Sequence, residues 1–311
     1  MRQTREAVEA YRLSRPGVVS PAVTPTASPI RHVSDTARWV AMYRAMESER
    51  PDAIFHDRYA RRLAGAQGEQ ILQGMPQGTR WAWPMIVRTA VMDEIIGRGV
   101  SRDGVDVVLN LAAGLDARAY RLPLPRALRW IEVDYAGMLD YKRAALAEER
   151  PVCELEYAAL DLADAGPRRE LFARVGAAAR RALVVSEGLL VYLTPAQVAA
   201  LAADLHAQAS FRWWLIDLAS PMLLQWMQGK WGKSVAAGGA PFRFAPAEGV
   251  KFFEPHGWRE VEFRSTMEEA RRLKREMRFA WFWRLLGRLQ SKARQEQFRR
   301  FAGVVLLERI P

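Results

Sequence analysis

The chain has 311 residues, half of them apolar and 26% charged, enough to bury a large core of ordinary globular composition. A single cysteine, Cys153, excludes an internal disulfide framework, and four scattered histidines (His32, His56, His206, His256) form no recognisable metal motif. The net charge is +11, and most of it lies in residues 264–300, which hold twelve Arg and Lys against four Glu.

Thr4 to Leu13 is basic and amphipathic, Glu6 and Glu9 argue against a transit peptide, and no apolar signal core is visible. Pro16, Pro21, Pro25 and Pro29 make 14–31 an extended linker, so residues 1–32 are expected to be a flexible, proline-rich segment. Ser34 or Asp35 is placed to cap a helix through Glu49, with Ala37, Val40, Ala41 and Met46 along its apolar stripe. A second, short helix holds Tyr59 and Leu63, and a third runs from Trp83 to Ile96, ending near Gly97 and Gly99. These segments predict a helical cap over residues 33–100, the first part of one domain spanning 33–311.

From Asp103 onward, strands and helices alternate. Strands are predicted at 105–111, 128–133, 153–157, 182–186 and 212–218, and helices at 135–148, 167–178 and 195–209. This order predicts a mostly parallel, doubly wound α/β sheet with its ligand-binding core in 101–218. Residues 219–311 read as substrate-side insertions that also complete the sheet. Within them, 219–245 is rich in Met, Trp and Gly, and Glu248 to His256 is helical. Trp258 to Phe263 alternates like a strand. A long basic helical region then runs to about Phe301, before a last strand from Val304 to Leu307. Met277, Trp281, Phe282, Leu285, Leu286 and Leu289 are apolar at helical spacing there. They read as a core-facing stripe under a solvated basic face, or as a helix that docks an acidic carrier or an anionic membrane surface. No apolar run reaches the roughly 18 residues of a membrane span, and no nucleic-acid recognition fold is visible. The expectation is a cytoplasmic protein that needs no metal.

Val105 to Leu111 is a short apolar run followed by Ala112, Ala113 and Gly114, then by Asp116, Arg118 and Arg121. A buried parallel strand looks like this where it ends in a loop that lets backbone approach a ligand. Carboxylates recur past the next three strands, at Asp134, Asp161 and Glu187, about one βα unit apart. Ligands of open α/β sheets bind at those carboxyl ends, so the row of acids predicts a nucleotide site. Asp134 follows Gly114 by 20 residues, the spacing at which an acid meets ribose hydroxyls, although a helix cap before Tyr135 fits the same position. The loop has one glycine where a dinucleotide fingerprint has three. Pro123 and Pro125 cut the following helix short, which disfavours a pyrophosphate cradle. Asp116, Arg118 and Arg121 read either as a surface ion-pair cluster or as support for the site. Tyr192 and Leu193 read as packing ahead of the helix that follows Pro195, and His256 as a loop histidine.

The stretches Ala113-Gly114-Leu115-Asp116-Ala117-Arg118, Glu132-Val133-Asp134 and Ser186-Glu187-Gly188-Leu189-Leu190-Val191-Tyr192-Leu193 together resemble the leucine carboxyl methyltransferase-like family. They are most similar to its bacterial branch of S-adenosylmethionine-dependent O-methyltransferases. Ser34-Asp35-Thr36-Ala37, Glu47 to Asp52, Asp57 to Ala60 and Arg88-Thr89 match its upstream signatures, so the likeness spans roughly 33–265. The resemblance implies a Rossmann-like class I methyltransferase fold with S-adenosylmethionine as cofactor. It implies that Arg88 pairs with the methionine carboxylate, that Ala112, Ala113 and Gly114 pass beneath the amino-acid part, and that Asp134 holds the ribose. Asp161 and Leu162 would meet the adenine, and Glu187 would sit near the methionine end and the substrate. Asp116, from the same loop as Gly114, joins the expected cofactor-binding residues, and Tyr192 joins Glu187 as a catalytic candidate. Ala112 departs from the family's usual glycine. A carboxylate acceptor is ionised at neutral pH and needs no base, which suits a site without an evident histidine. The acceptor is therefore expected to be a carboxylate of a small-molecule or carrier-bound metabolite, with Glu187 or Tyr192 able to assist a hydroxyl instead. A nicotinamide-dependent oxidoreductase and a non-catalytic cofactor-binding protein are the alternatives.

Overall fold

The computed structural model describes residues 34–75, 77–237, 239–277 and 290–311. Its frame is a seven-stranded sheet: β1 (Val107–Leu111), β2 (Arg129–Asp134), β3 (Glu154–Ala159), β4 (Ala182–Ser186), β5 (Phe211–Ala219), β6 (Trp258–Ser265) and β7 (Ala302–Arg309). The strand order is β3-β2-β1-β4-β5-β7-β6. The first five strands are parallel, and β7 runs antiparallel between β5 and β6. This is the expected class I methyltransferase topology, with chain reversal at β1 and β4 opening a crevice above their carboxyl ends.

Every residue of β1 and β4 is buried, which is why both read as unbroken apolar runs. Their side chains alternate between two layers. Val108, Val185, Leu215 and Leu306 face one, while Leu109, Val184, Ile216 and Leu307 face the other. The second layer is closed by α6 (Ala165–Ala178) and α7 (Pro195–His206), through Phe172, Val198 and Leu201. Thr194 and Gln197 form a reciprocal capping box that starts α7.

Among the described residues, three helices make the cap: α1 (Ser34–Ser48), α2 (Ala60–Gly74) and α3 (Ala82–Ser101). α2 extends beyond the short helix expected but kinks at Gly65 (φ 61°), and Leu63, Ala64 and Ile71 bury apolar surface on both sides of the kink. α3 serves two cores. Val87, Val91 and Ile95 pack on the sheet, while Ile86 and Ala90 join a separate cluster with Trp39, Tyr43, Trp231 and Phe242. Met85 and Arg88, three residues apart, share the helix face that looks into the crevice.

After β5 comes α8 (Pro221–Ala237), where the sequence suggested an insertion at the mouth of the site. The expected single basic helix up to Phe301 is not what forms. β6 runs on to Ser265, α9 covers only Thr266–Arg272, Lys274 takes a left-handed conformation at φ 57°, and α10 is Lys292–Arg299. Arg264 and Arg272 are drawn onto Glu94 and Glu269, which ties α9 to the sheet edge and to α3. The apolar positions from Trp281 to Leu289 lie outside the described residues, as do residues 1–33 with their predicted linker. Among the described residues, no helix is long and apolar enough to cross a membrane.

Candidate active site

A cavity of about 730 Å³ opens above the carboxyl ends of β1, β2, β4 and β5, under the cap. Arg88, Ala112, Gly114, Asp116, Asp134, Asp161, Leu162, Glu187 and Tyr192 all line it. The positions singled out in the sequence therefore share one space, although they come from α3 and from the carboxyl ends of four separate strands.

The floor is the turn after β1. Ala112 and Gly114 both adopt left-handed backbone, at φ 51° and 50°. A Cβ at Gly114 would fall 3.1 Å from that of Ala37, so α1 passes too close for a side chain there. Ala112 accepts a conformation that glycine adopts freely, at a cost of about 1 kcal/mol. The Asp134 carboxylate crosses this floor and accepts the Gly114 N–H (2.7 Å) and the Tyr135 N–H (2.7 Å). It does not cap the next helix. That position belongs to Tyr135, ahead of α5 (Ala136–Ala145). Asp161 accepts the Ala163 N–H at 2.8 Å and also partners the Tyr135 hydroxyl.

At the inner end, Asp116, Arg118 and Arg121 are not a surface cluster. Arg118 is 1% exposed. It begins α4 (Arg118–Arg121) and reaches Asp93 (2.6 Å), Asp116 (2.8 Å) and Glu187 (2.7 Å). Arg121 extends the network to Asp93 and Asp57, and Arg44 holds Asp57 from α1. On the other side, Arg88 bonds Glu187 (3.0 Å) and Asp217 (2.9 Å), and Asp217 accepts the Gly188 N–H at 2.6 Å. Burial would raise the Asp116 and Glu187 carboxyls, but the guanidiniums outweigh it and hold both below the usual carboxylate range. Burial dominates at Tyr192 and raises its hydroxyl, so it stays protonated.

Asp217 escaped the sequence reading. It obeys the same rule of acids at strand ends, but β5 continues to Ala219 through antiparallel pairing with β7. The outer wall was missed as well. Trp39, Trp81, Trp226 and Trp231 come from the cap and α8 and meet only in three dimensions. Among the described residues, no histidine lines the cavity; His206 instead bonds the Ile310 carbonyl, and His256 packs on Phe252.

The family model described as leucine carboxyl methyltransferase matches residues 37–206. The chain belongs to the leucine carboxyl methyltransferase family. It is accordingly an S-adenosylmethionine-dependent methyltransferase, which displaces the oxidoreductase alternative. The one-turn α4 offers no pyrophosphate cradle either. Two similar bacterial proteins carry the name Putative S-adenosyl-L-methionine-dependent methyltransferase. That of Streptomyces avermitilis is 31% identical over 252 residues, covering 76% of this chain and 86% of its own. That of Mycobacterium sp. strain KMS is 33% identical over 255 residues, covering 73% and 82%. A Streptomyces coelicolor relative is 35% identical over 187 residues, which is 56% of this chain and 65% of that protein. Among solved structures, a DUF574 family protein from Streptomyces avermitilis aligns with a TM-score of 0.56 at 11% identity, over 91% of this chain and 99% of its own. A Thermobifida fusca protein aligns at 0.54 and 15%, over 95% and 100%. At such identities the likeness speaks for the fold of this methyltransferase and for nothing finer.

Proposed function

We propose that the protein transfers a methyl group from S-adenosylmethionine to an oxygen, a carboxylate, of a small-molecule or carrier-bound acid. The observation that carries this reading is the gathering of Arg88, Gly114, Asp134, Asp161 and Glu187 around one cavity. Its volume lies within the roughly 300–1,000 Å³ usual for small-molecule sites.

The side chains present suit the cofactor. Each Asp134 oxygen takes one backbone N–H, and a carboxylate accepts about four donors, so ribose hydroxyls find acceptors there. The Gly114 turn brings bare backbone to the floor, where an amino-acid moiety can lie against it. Arg88 spends Nε and Nη1 on Glu187 and Asp217, and a guanidinium has five donors, so a further carboxylate fits its fork. The linked network sets Asp57, Asp93, Asp116, Glu187 and Asp217 against Arg44, Arg88, Arg118 and Arg121. That balance is one carboxylate in excess, which favours a bound cation. Asp161 and Leu162 would border the adenine.

When bound, S-adenosylmethionine supplies a methyl carbon activated by a sulfonium. Glu187, pinned by two guanidiniums, orients rather than removes protons. Tyr192, kept protonated by burial, donates a hydrogen bond to an acceptor oxygen. Neither group is a competent base at neutral pH, which supports an acceptor that is already ionised. The cap and the tryptophan wall keep water from the reacting atoms.

The test is methyl transfer from radiolabelled S-adenosylmethionine onto matched panels of carboxylic acids, phenols and alcohols. Products of the acids should release volatile labelled methanol in mild base, as methyl esters do. Base-stable ethers from the phenols or alcohols, with no label on the acids, would replace the carboxylate reading with a hydroxyl one.

A further inference from the structure

The cavity has a second chemistry beyond the strand ends. Trp81 and Trp226 approach to 4.6 Å between ring centroids, Trp226 and Trp231 to 5.2 Å, and Trp39 and Trp231 to 5.4 Å. Tyr192 stacks on Phe242 at 5.7 Å with 27° between the rings. So continuous an aromatic surface has no use in holding a ribose or an amino acid, whose partners are polar. Trp226 is 37% exposed despite being large and apolar, so this wall is not closed off as core.

Among the described residues, four basic side chains line the cavity, and three of them are neutralised. Arg44 is paired with Asp57, Arg88 with Glu187 and Asp217, and Arg118 with three carboxylates. Arg243 is the fourth. Among the described residues, no carboxylate pairs with its guanidinium. The backbone holds it firmly all the same. Its N–H donates to the Val191 carbonyl at 2.7 Å, and the preceding Phe242 carbonyl accepts the Gln228 amide from α8 at 2.9 Å. Phe242 and Phe244 on either side are buried, while Arg243 itself is exposed. A cation whose backbone is anchored on the lining of an aromatic cavity, with no carboxylate partner among the described residues, marks where an anion docks.

We propose that Arg243 is the docking residue for the methyl acceptor and that the acceptor is an aromatic carboxylic acid. Its ring system lies on the tryptophan wall, and its carboxylate takes the guanidinium fork. The inference rests on the methyltransferase reading above and names the substrate class of that site. Tryptophan faces offer large flat area at little entropic cost, and guanidinium matches carboxylate geometry two bonds at a time. The arrangement also favours turnover. Methylation removes the acceptor's charge, so the ester loses the ion pair and leaves more readily than the acid bound.

Calorimetric titration of the protein loaded with S-adenosylhomocysteine tests this, with 2-naphthoate and the uncharged 2-naphthamide as probes. In the wild type, naphthoate should bind about tenfold more tightly than the amide, the worth of one charge-assisted pair. Arg243→Gln should abolish the preference, Arg243→Lys should restore part of it, and Trp226→Ala should weaken both probes alike. S-adenosylhomocysteine affinity should be unchanged in both Arg243 variants. Equal binding of the two probes to the wild type, binding of neither, or a preference that survives in Arg243→Gln overturns the inference while leaving the methyltransferase reading intact. Failure of the wild type to bind S-adenosylhomocysteine would instead overturn the cofactor site itself.

Discussion

Arg118→Met is the most revealing perturbation of the buried ionic network. The substitution keeps an unbranched apolar stem but removes the cation on which Asp93, Asp116 and Glu187 converge, at 2.6, 2.8 and 2.7 Å. Arg121 still serves Asp93 and Arg88 still serves Glu187, so Asp116 loses most. It keeps only the Asn110 amide and the Arg118 backbone N–H. Removing one partner of a buried pair costs about 3–5 kcal/mol, a large share of the roughly 5–15 kcal/mol that holds a domain together. The sign of the pH dependence follows. Asp116 and Glu187 titrate below their unfolded values in the wild type, so their stabilisation is present above about pH 4 and fades as acid protonates them. In the variant Asp116 has lost its guanidinium partner and Glu187 keeps only Arg88, so both gain less from staying ionised, and acid relieves their repulsion. Urea unfolding at pH 7 should show a deficit of about 3–5 kcal/mol that narrows towards pH 4. A deficit below about 1 kcal/mol, or one that does not change with pH, would refute the claim that the network is buried and charged.

Other consequences follow from single residues. Ala112→Gly should raise stability by up to about 1 kcal/mol in thermal unfolding by relieving left-handed strain, whereas Gly114→Val should lower both stability and cofactor affinity. Glu132, buried beside Lys142, has one carboxylate oxygen without a partner, and burial pushes its pKa up to about 7. That is above its unfolded value, so its share of stability is present in acid and lost as pH rises through 7. Glu132→Gln should therefore gain relative to the wild type between pH 5 and 8 in denaturant titrations. Because Glu187 is held below and Tyr192 above the neutral range, kcat on a carboxylate acceptor should be flat from pH 6 to 9. A bell centred near 7 would reveal a base elsewhere.

Much of the frame was legible because parallel strands buried on both faces must be apolar throughout. Val107–Leu111 and Ala182–Ser186 announce themselves, and the acids just past them mark the crevice. Proximity in space is what the chain order hides. The burial of Arg118 depends on Asp93 and Glu187, 25 and 69 residues away, and nothing local distinguishes it from a surface arginine. Asp217 was masked because its strand is prolonged by a partner, Val304, 87 positions later. The tryptophan wall draws on α1, on the turn before α3 and on α8, none of which carries a ligand motif. The basic C-terminal stretch misled for another reason. Its arginines at 264 and 272 are attached to Glu94 and Glu269 rather than arrayed along one helix.

The account stands on the polar end of the cavity holding an adenosyl group. Calorimetric titration of the wild type, Asp134→Asn and Asp134→Ala with S-adenosylhomocysteine tests this most directly. One molecule should bind per chain, with Asp134→Ala weakened about a hundredfold, as the loss of two hydroxyl–carboxylate bonds requires, and Asp134→Asn in between. An Asp134→Ala protein that keeps its fold and binds as tightly as the wild type would contradict the account.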